Sequence, residues 1–163
     1  MGCFHSSEEN EPSSPKGPKF GSKLEEQVAA ALTAARITFQ PQYLIPRPED
    51  LRVRNRPYDL FFVHKGRKYL IEIDGEQHFR HVPFFHKTSA DFINQQKRDC
   101  EKTVAAIRYG YYLIRIDYKN VKNVGTIINW VFKQGPKTHD YFFDPVMYKY
   151  ITGSKLYRQI TEG

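Results

Sequence analysis

Cysteine and long apolar runs are scarce in this chain. Its two cysteines, Cys3 and Cys100, form no CxxC or zinc-finger spacing, which argues against a disulfide framework and favours a reducing compartment. No run approaches the ~20 apolar residues that a membrane-spanning helix needs, and no apolar signal-peptide core follows the first residues. We therefore expect a soluble, intracellular protein of the cytoplasm or nucleus with no transmembrane segment.

The size and composition indicate one packed domain with a polyanionic partner. At 163 residues the chain is long enough for one domain with a core, and 40% hydrophobic residues with 15% aromatics are typical of a globular protein. The 25 Lys and Arg residues exceed the 18 Asp and Glu residues, giving a net charge of +7. This charge favours nucleic acid as the partner, then an anionic membrane surface, and leaves the oligomeric state open.

The N-terminus carries a short pattern typical of lipid anchors. Gly2 with Ser6 fits N-myristoylation, and Cys3 offers a site for palmitoylation. Stable membrane anchoring requires two such lipid signals. A pattern this short also arises by chance, but it keeps open a lipid-anchored peripheral protein that uses its basic surface on membranes.

The chain divides into a leader, a core and a C-terminal extension. Residues 1–21 are rich in Ser, Pro, Gly and charged residues, which predicts a flexible leader. Residues 22–135 form the predicted core, and residues 136–163 form a basic, tyrosine-rich extension without an assignable pattern. Within the core we predict helices at 22–36, 91–109 and 124–133, strands at 38–45, 58–64, 68–74 and 111–118, and a tight turn at 65–67.

Two carboxylates interrupt the apolar strand at 68–74. Side chains alternate along a strand, so Glu72 and Asp74 should project together while the neighbouring isoleucines face the other way. Asp59 lies on the preceding strand and should face this pair across the hairpin. Buried anions side by side need a cation or a shared proton. The sequence therefore predicts a divalent metal site that acts on phosphate.

Motifs on successive predicted elements resemble those of one enzyme superfamily. They are Ser22-x-x-Glu25, Arg56-Pro-Tyr-Asp59, Ile71-Glu-Ile-Asp-Gly-Glu-Gln-His78, Asp99-x-x-Lys102 and Leu113-Ile-Arg-Ile116. Over residues 22–117 the chain resembles the PD-(D/E)xK nucleases, in the branch of very-short-patch-repair and small restriction-type endonucleases. The resemblance implies a restriction-endonuclease-like α/β core, a mixed β-sheet flanked by helices, and a DNA endonuclease that hydrolyses phosphodiester bonds.

The resemblance also implies a role for each matching residue. Asp59 and Glu72 would bind Mg²⁺, with Mn²⁺ as a possible substitute, and Glu25 would bind the metal or its water shell. Asp74 stands where many members carry lysine, and would orient the attacking water or bind a second metal. Lys102 would then supply the displaced cation. Gln77 is a further contact to water or phosphate.

Several of these residues have an ordinary structural interpretation. Glu25 is also the capping partner of Ser22 at a helix start, and Asp99 with Lys102 is also an exposed helical pair. Loss of the usual lysine keeps open a catalytically inactive nucleic-acid-binding module on the same fold. A structural zinc is a further alternative, with ligands His78, His81, His86 and Cys100.

Basic residues near the acids predict contacts to phosphate. They lie in the loop before Asp59, in the turn of the hairpin and just after the acidic strand, and such contacts make binding fall steeply with salt. Phe79, Phe84 and Phe85 follow that strand, where aromatic rings either stack on bases or pack against the sheet. The predicted nucleic-acid-binding residues are Arg54, Arg56, Lys65, Arg67, Lys68 and His78.

Overall fold

The computed structural model describes residues 22–135 and 139–162, which build a five-stranded sheet with helices on both faces. The spatial order of the strands equals their order in the chain. The first three strands are antiparallel, and the last two run parallel to the third. The predicted α/β class with a mixed, helix-flanked sheet is confirmed. The strands are β1 (Phe39–Tyr43), β2 (Tyr58–His64), β3 (Arg67–Asp74), β4 (Tyr112–Asp117) and β5 (Asp140–Phe143).

Three of the five described helices begin at a side-chain cap that the sequence provides. The five helices are α1 (Lys23–Ala34), α2 (Ser89–Arg108), α3 (Val124–Gln134), α4 (Lys149–Thr152) and α5 (Lys155–Thr161). The Ser22 hydroxyl accepts from the Glu25 N–H at 3.2 Å, as its spacing predicts. Thr88 and Asp91 form a reciprocal capping box, so α2 begins two residues before the predicted start.

A two-residue turn sets the register of the central hairpin. Lys65 and Gly66 have φ values of 49° and 75°, the left-handed geometry that joins twisted antiparallel strands. Leu60 consequently lies opposite Ile71. The next residues along the two strands, Asp59 and Glu72, then face each other, as the alternation predicts.

Strand β3 separates the two faces of the sheet. Its isoleucines join a core beneath α1 and α3, with Val28 and Leu32 of α1 and Ile128 and Val131 of α3. Leu70 faces the opposite side, in a cluster that contains Ala106 of α2. Glu72 and Asp74 share that side, because every second side chain of a strand points the same way.

The C-terminal segment is part of the same fold. Strand β5 pairs in parallel with β4, and Tyr148 and Ile151 pack against Cys100 of α2. The Tyr148 hydroxyl donates to Asp74 at 2.8 Å. Residues 139–162 therefore complete the domain, although their sequence carries no assignable pattern.

The leader and the N-terminal lipidation pattern at Gly2 and Cys3 lie outside the described residues. Among the helices of the described ranges, none combines the length and apolar character required to cross a membrane.

Tyr148→Phe tests the link between the C-terminal segment and the core. Loss of a buried hydrogen bond to a charged group should lower the free energy of unfolding by about 1.5–3 kcal/mol. The measurement is urea denaturation. Tyr112→Phe is the control, because no hydrogen bond joins its hydroxyl to another described residue. Equal stability of the two variants would contradict the assignment.

Candidate active site

A cavity of about 720 Å³ opens at the end of the sheet where β3 finishes. Helix α1, the start of β2, the end of β3 and helix α2 contribute to its walls. The cavity brings together residues that are far apart in the sequence. Those with predicted roles are Glu25, Asp59, Glu72, Gln77, His78 and Lys102.

Asp59 is fixed by the backbone of the neighbouring strand. Its Oδ2 accepts from the Ile73 N–H at 2.7 Å. The carboxylate therefore replaces the backbone carbonyl of a neighbouring strand, which would usually accept this hydrogen bond. Burial raises the pKa of Asp59 well above its usual value, and the nearby charges of Glu72 and Glu25 raise it further, against the effect of Lys102. The cavity therefore holds carboxylates whose negative charge is only partly compensated.

Glu72 faces the ammonium of Lys102. Lys102 Nζ lies 2.5 Å from Glu72 Oε1 and donates to the Pro57 carbonyl at 2.9 Å. Burial raises the pKa of Glu72, while Lys102 and Arg115 act against that shift. Glu72 Oε1 is buried, and among the described residues it has this ion pair but no hydrogen bond of good geometry. It therefore retains capacity for another ligand.

Lys102 reaches the cavity from α2 rather than from the strand. Its ammonium also lies over the Tyr58 ring, 4.8 Å from the centroid. The Tyr58 hydroxyl donates to the Lys102 carbonyl at 2.6 Å, which ties this turn of α2 to β2. Lys102 is therefore a cation at the acids, as the sequence predicts for it, and more than an exposed helical residue.

Glu25 and Gln77 form two further walls. The Glu25 side chain accepts from the Gln42 amide at 3.1 Å, while its backbone N–H serves the helix cap. Gln77 folds back over Gly75, where a Cβ would collide with the Gln77 amide. Glycine at position 75 therefore leaves room for Gln77 beside the acids.

Asp74 has a different role from the catalytic one predicted. Its two oxygens accept from Arg115 Nη1 at 2.7 and 2.8 Å, and Tyr148 donates to Oδ2. Asp74 and Arg115 are both 0% exposed, and Asp74 is absent from the cavity wall. Because both oxygens already accept hydrogen bonds, these contacts argue against the predicted role of Asp74 in orienting water or binding a second metal. Asp74 holds strand β3 in position.

His78 connects the cavity to this buried pair. Its Nδ1 lies 2.8 Å from Asp99 Oδ2 and 3.5 Å from Asp74 Oδ1. Burial alone would lower the pKa of His78, but these two carboxylates together raise it. Burial would likewise raise the pKa of Asp99, yet Arg115 and His78 lower it. The Nε2 of His78 lies 3.4 Å from the Gln95 amide nitrogen. Both ring nitrogens therefore lie near protein groups, and the phosphate contact of His78 stays a prediction.

Asp74, His78 and Asp99 are the described residues whose possible ligand atoms all lie within 4.8 Å of one another. The Arg115 guanidinium already pairs with both carboxylates, so a dication in this group would lie against another cation. The group could hold a metal only by sharing its carboxylates with Arg115.

The alternative zinc set is not assembled. His86 bonds to Gln95 at 2.8 Å, and the Cys100 thiol points to the Tyr150 carbonyl at 3.5 Å. Neither belongs to a group of described residues that could jointly hold a metal.

Sequence reasoning misplaced part of the basic surface. Lys65 follows Asp59 by six positions along β2, about 20 Å at the usual rise of a strand, so the turn with Arg67 and Lys68 lies at the far end of the hairpin. Arg56 is paired with Glu101 at 2.7 Å, while Arg54 is exposed in the loop before β2.

Two lysines that the sequence analysis did not select lie at the same sheet edge as the acids. Tyr118 lines the cavity, its N–H donates to the Asp74 carbonyl at 2.9 Å, and Lys119 and Lys122 follow it on the surface. The parallel pairing of β3 with β4 brings their ends together. A helix lies between β3 and β4 in the sequence, and such a connection is typical of parallel strands. Parallel pairing inferred in this way would have placed the two lysines near the acids.

Comparisons with known proteins give little beyond this geometry. No family model and no solved structure matches the chain. The chain is 37% identical over 70 residues to an uncharacterized protein, 094L, of frog virus 3 (isolate Goorha). The match covers 42% of this chain and 44% of the viral protein. The similarity shows no family, and the viral protein's description gives no activity.

Asp59→Asn tests the charge balance of the cavity. In EDTA, the free energy of unfolding of this variant should exceed that of the wild type near pH 8. The difference should disappear as the pH falls to about 4. Because the pKa of Asp59 is raised above 3.8 on folding, the folded protein binds a proton that the unfolded chain releases, and wild-type stability falls as pH rises through that window. Urea denaturation at several pH values measures the effect.

Asp50→Asn is the matched control for this experiment. The hydrogen-bonded Arg52 lowers the pKa of Asp50, so its contribution to stability is present at high pH and is lost as the pH falls. Its substitution should therefore destabilise the fold most near pH 8. An Asp59→Asn protein that is also less stable near pH 8 would contradict the assigned repulsion.

Proposed function

We propose that this protein is a Mg²⁺-dependent endonuclease that hydrolyses phosphodiester bonds, with DNA as its substrate. The observation that carries the proposal is the meeting of Asp59, Glu72 and Lys102 in one cavity. Two carboxylates with raised pKa values beside a lysine ammonium are the groups that metal-assisted phosphate chemistry requires. The resemblance to PD-(D/E)xK nucleases supports the same conclusion from the sequence.

The residues of the cavity fit a hard divalent cation. Mg²⁺ prefers carboxylate oxygens, with water completing its octahedron, and the buried Oε1 of Glu72 has unused ligand capacity. The oxygens of Asp59, Glu72 and Glu25 do not all lie within 4.8 Å of one another. Asp59 and Glu72 would therefore bind the ion directly, and Glu25 would hold its water shell. Bound there, the ion supplies Lewis acidity toward the phosphate and a bound water.

Lys102 takes the role that Asp74 does not fill. Its ammonium pairs with Glu72 and is only 14% exposed. A cation bound by Glu72 would displace this ammonium, which would then face the phosphate and stabilise the charge that develops during attack. Gln77, on the same wall, would orient water through its amide.

The location of Lys102 also bears on the inactive-module alternative. That alternative rests on the missing lysine of the strand motif, and the cavity contains a lysine from α2 instead. The net charge of +7 and the lysines after β4 support a polyanionic substrate. The lipid-anchor alternative rests on residues outside the described part of the chain.

Cleavage assays with Mg²⁺, Mn²⁺ or EDTA test the proposed activity on labelled DNA and RNA. Asp59→Asn and Glu72→Gln should abolish cleavage, while Glu26→Gln, an exposed acid on α1, should leave it unchanged. Activity that survives in EDTA, or in both acid variants, would refute the mechanism.

Lys102→Met separates the effect of the lysine on cleavage from its effect on metal binding. Cleavage should fall by about 10²–10³-fold, as when one group that stabilises transition-state charge is removed. Mg²⁺ binding, measured by calorimetry, should become tighter because the ammonium no longer competes for Glu72. Weaker Mg²⁺ binding would show that Lys102 only supports the structure.

Lysine variants test which surface meets the substrate. Lys119→Gln and Lys122→Gln should each reduce the slope of log K against log salt by about 0.7–0.9, the change expected when one phosphate is no longer neutralised. Lys65→Gln and Lys68→Gln are the matched controls at the far end of the hairpin and should leave the slope unchanged. The reverse pattern would place the binding surface at the turn.

A further inference from the structure

The loop between β3 and α2 exposes two phenylalanines beside the cavity. Phe84 is 88% exposed and Phe85 is 56% exposed, and their rings meet edge to face with centroids 5.0 Å apart. Phe85 also lines the cavity that contains the acids. Exposing two adjacent large apolar side chains is unfavourable, and such exposure marks binding surfaces.

A buried histidine holds this loop in one conformation. His86 is 3% exposed, and its Nδ1 accepts from the Val82 N–H at 3.0 Å. Its Nε2 must then carry the proton, which it donates to Gln95 of α2 at 2.8 Å. The N–H groups of Phe85 and His86 both donate to the Val82 carbonyl at 2.9 Å. The phenylalanine rings are therefore presented by a fixed turn.

A second aromatic ring lines the same cavity. Tyr118, at the end of β4, contributes to its wall, and Lys119 Nζ lies 5.9 Å from the centroid of the Tyr118 ring. The cavity thus combines carboxylates and a lysine with aromatic rings and a nearby surface cation. In a bound nucleotide, the phosphate would meet the carboxylates and the lysine, and the flat base would meet the aromatic rings.

We infer that the cavity takes up an unpaired nucleobase that stacks on Phe85, beside the phosphate held near Asp59 and Glu72. This inference rests on the proposed nuclease function and names its substrate class as single-stranded or locally unpaired DNA. Phe84 supports Phe85 from outside and contacts the next base along the strand.

The size of the cavity and the position of Phe85 favour an unpaired base. A volume of about 720 Å³ lies in the range of sites that enclose a small molecule, and a duplex is far larger than that. Within a duplex both faces of each base are covered by its neighbours. A base therefore reaches a ring in the cavity wall only after leaving the stack, which costs least where the DNA is already unpaired.

Binding of oligonucleotides that contain 2-aminopurine tests the inference. With Ca²⁺ in place of Mg²⁺, the probes are a single strand, a perfect duplex, a duplex with an unpaired bubble and a single-stranded RNA of the same sequence. The wild type should bind the single strand and the bubble more tightly than the perfect duplex. Stacking should quench the 2-aminopurine fluorescence.

Variants of Phe85 isolate the stacking contribution. Phe85→Ala should weaken single-strand binding by about 5- to 150-fold, the loss expected for one base–aromatic stack, and abolish the quenching. Phe85→Leu should lose nearly as much, whereas Phe85→Tyr should retain both. Val63→Ala removes another exposed apolar side chain, 54% exposed, near the far end of the hairpin, and should change neither. Thermal melts verify that each variant folds.

The outcomes separate this inference from the proposed function. If the wild type cleaves the perfect duplex with Mg²⁺ and Phe85→Ala cleaves it equally well, the unpaired-base inference is wrong and the nuclease function stands. If Phe85→Ala loses single-strand binding but the wild type cleaves no substrate, the base site stands and the nuclease function fails. Tighter binding to RNA than to DNA moves the substrate class to RNA, and absence of binding to every probe refutes both proposals.

Discussion

The buried ion pair between Asp74 and Arg115 is the interaction on which the arrangement of the site depends. It joins β3 to β4, and Arg115 continues to Thr103 and to the Asp99 carbonyl on α2. Removing two charges from water is costly, and such a pair is retained where it specifies geometry more than where it adds stability. Here every charged oxygen of Asp74 has a donor. Strand, helix and C-terminal segment are consequently fixed relative to one another.

The buried network fixes the geometry of the cavity but takes no part in the proposed reaction. Glu72 precedes Asp74 by two residues on the same strand face, and Lys102 follows Asp99 by one helical turn. Fixing Asp74 and Asp99 therefore fixes the distance between a carboxylate and an ammonium that lie on different elements. Tyr150 donates to Asp99 at 2.8 Å, so the last part of the described chain also contributes to the geometry. Glu72 and Lys102 are thus positioned partly through the contacts of their neighbours Asp74 and Asp99.

Local patterns predicted the hairpin, the helices of the core and the meeting of Asp59 with Glu72, because alternation along strands and helix caps act over a few residues. The role of Asp74 was not predictable from them. Glu72 and Asp74 look equivalent by alternation, and only Arg115, 41 positions after Asp74, distinguishes the two. The extension was missed for the same reason: β5 is four residues long, and its stability comes from pairing with β4. Lys119 was missed because its proximity to the acids depends on a parallel crossover.

The cations beside the acids affect the electric potential around this edge of the sheet. The Lys102 ammonium offsets the charge of Glu72, and the Arg115 guanidinium offsets that of Asp74. The sheet edge therefore presents less negative charge than its number of acids suggests, while Lys119 and Lys122 remain charged at the surface. If the proposed function holds, a polyanionic substrate would be drawn toward that edge by long-range attraction, and the acids at its centre would oppose it less than the sequence indicates.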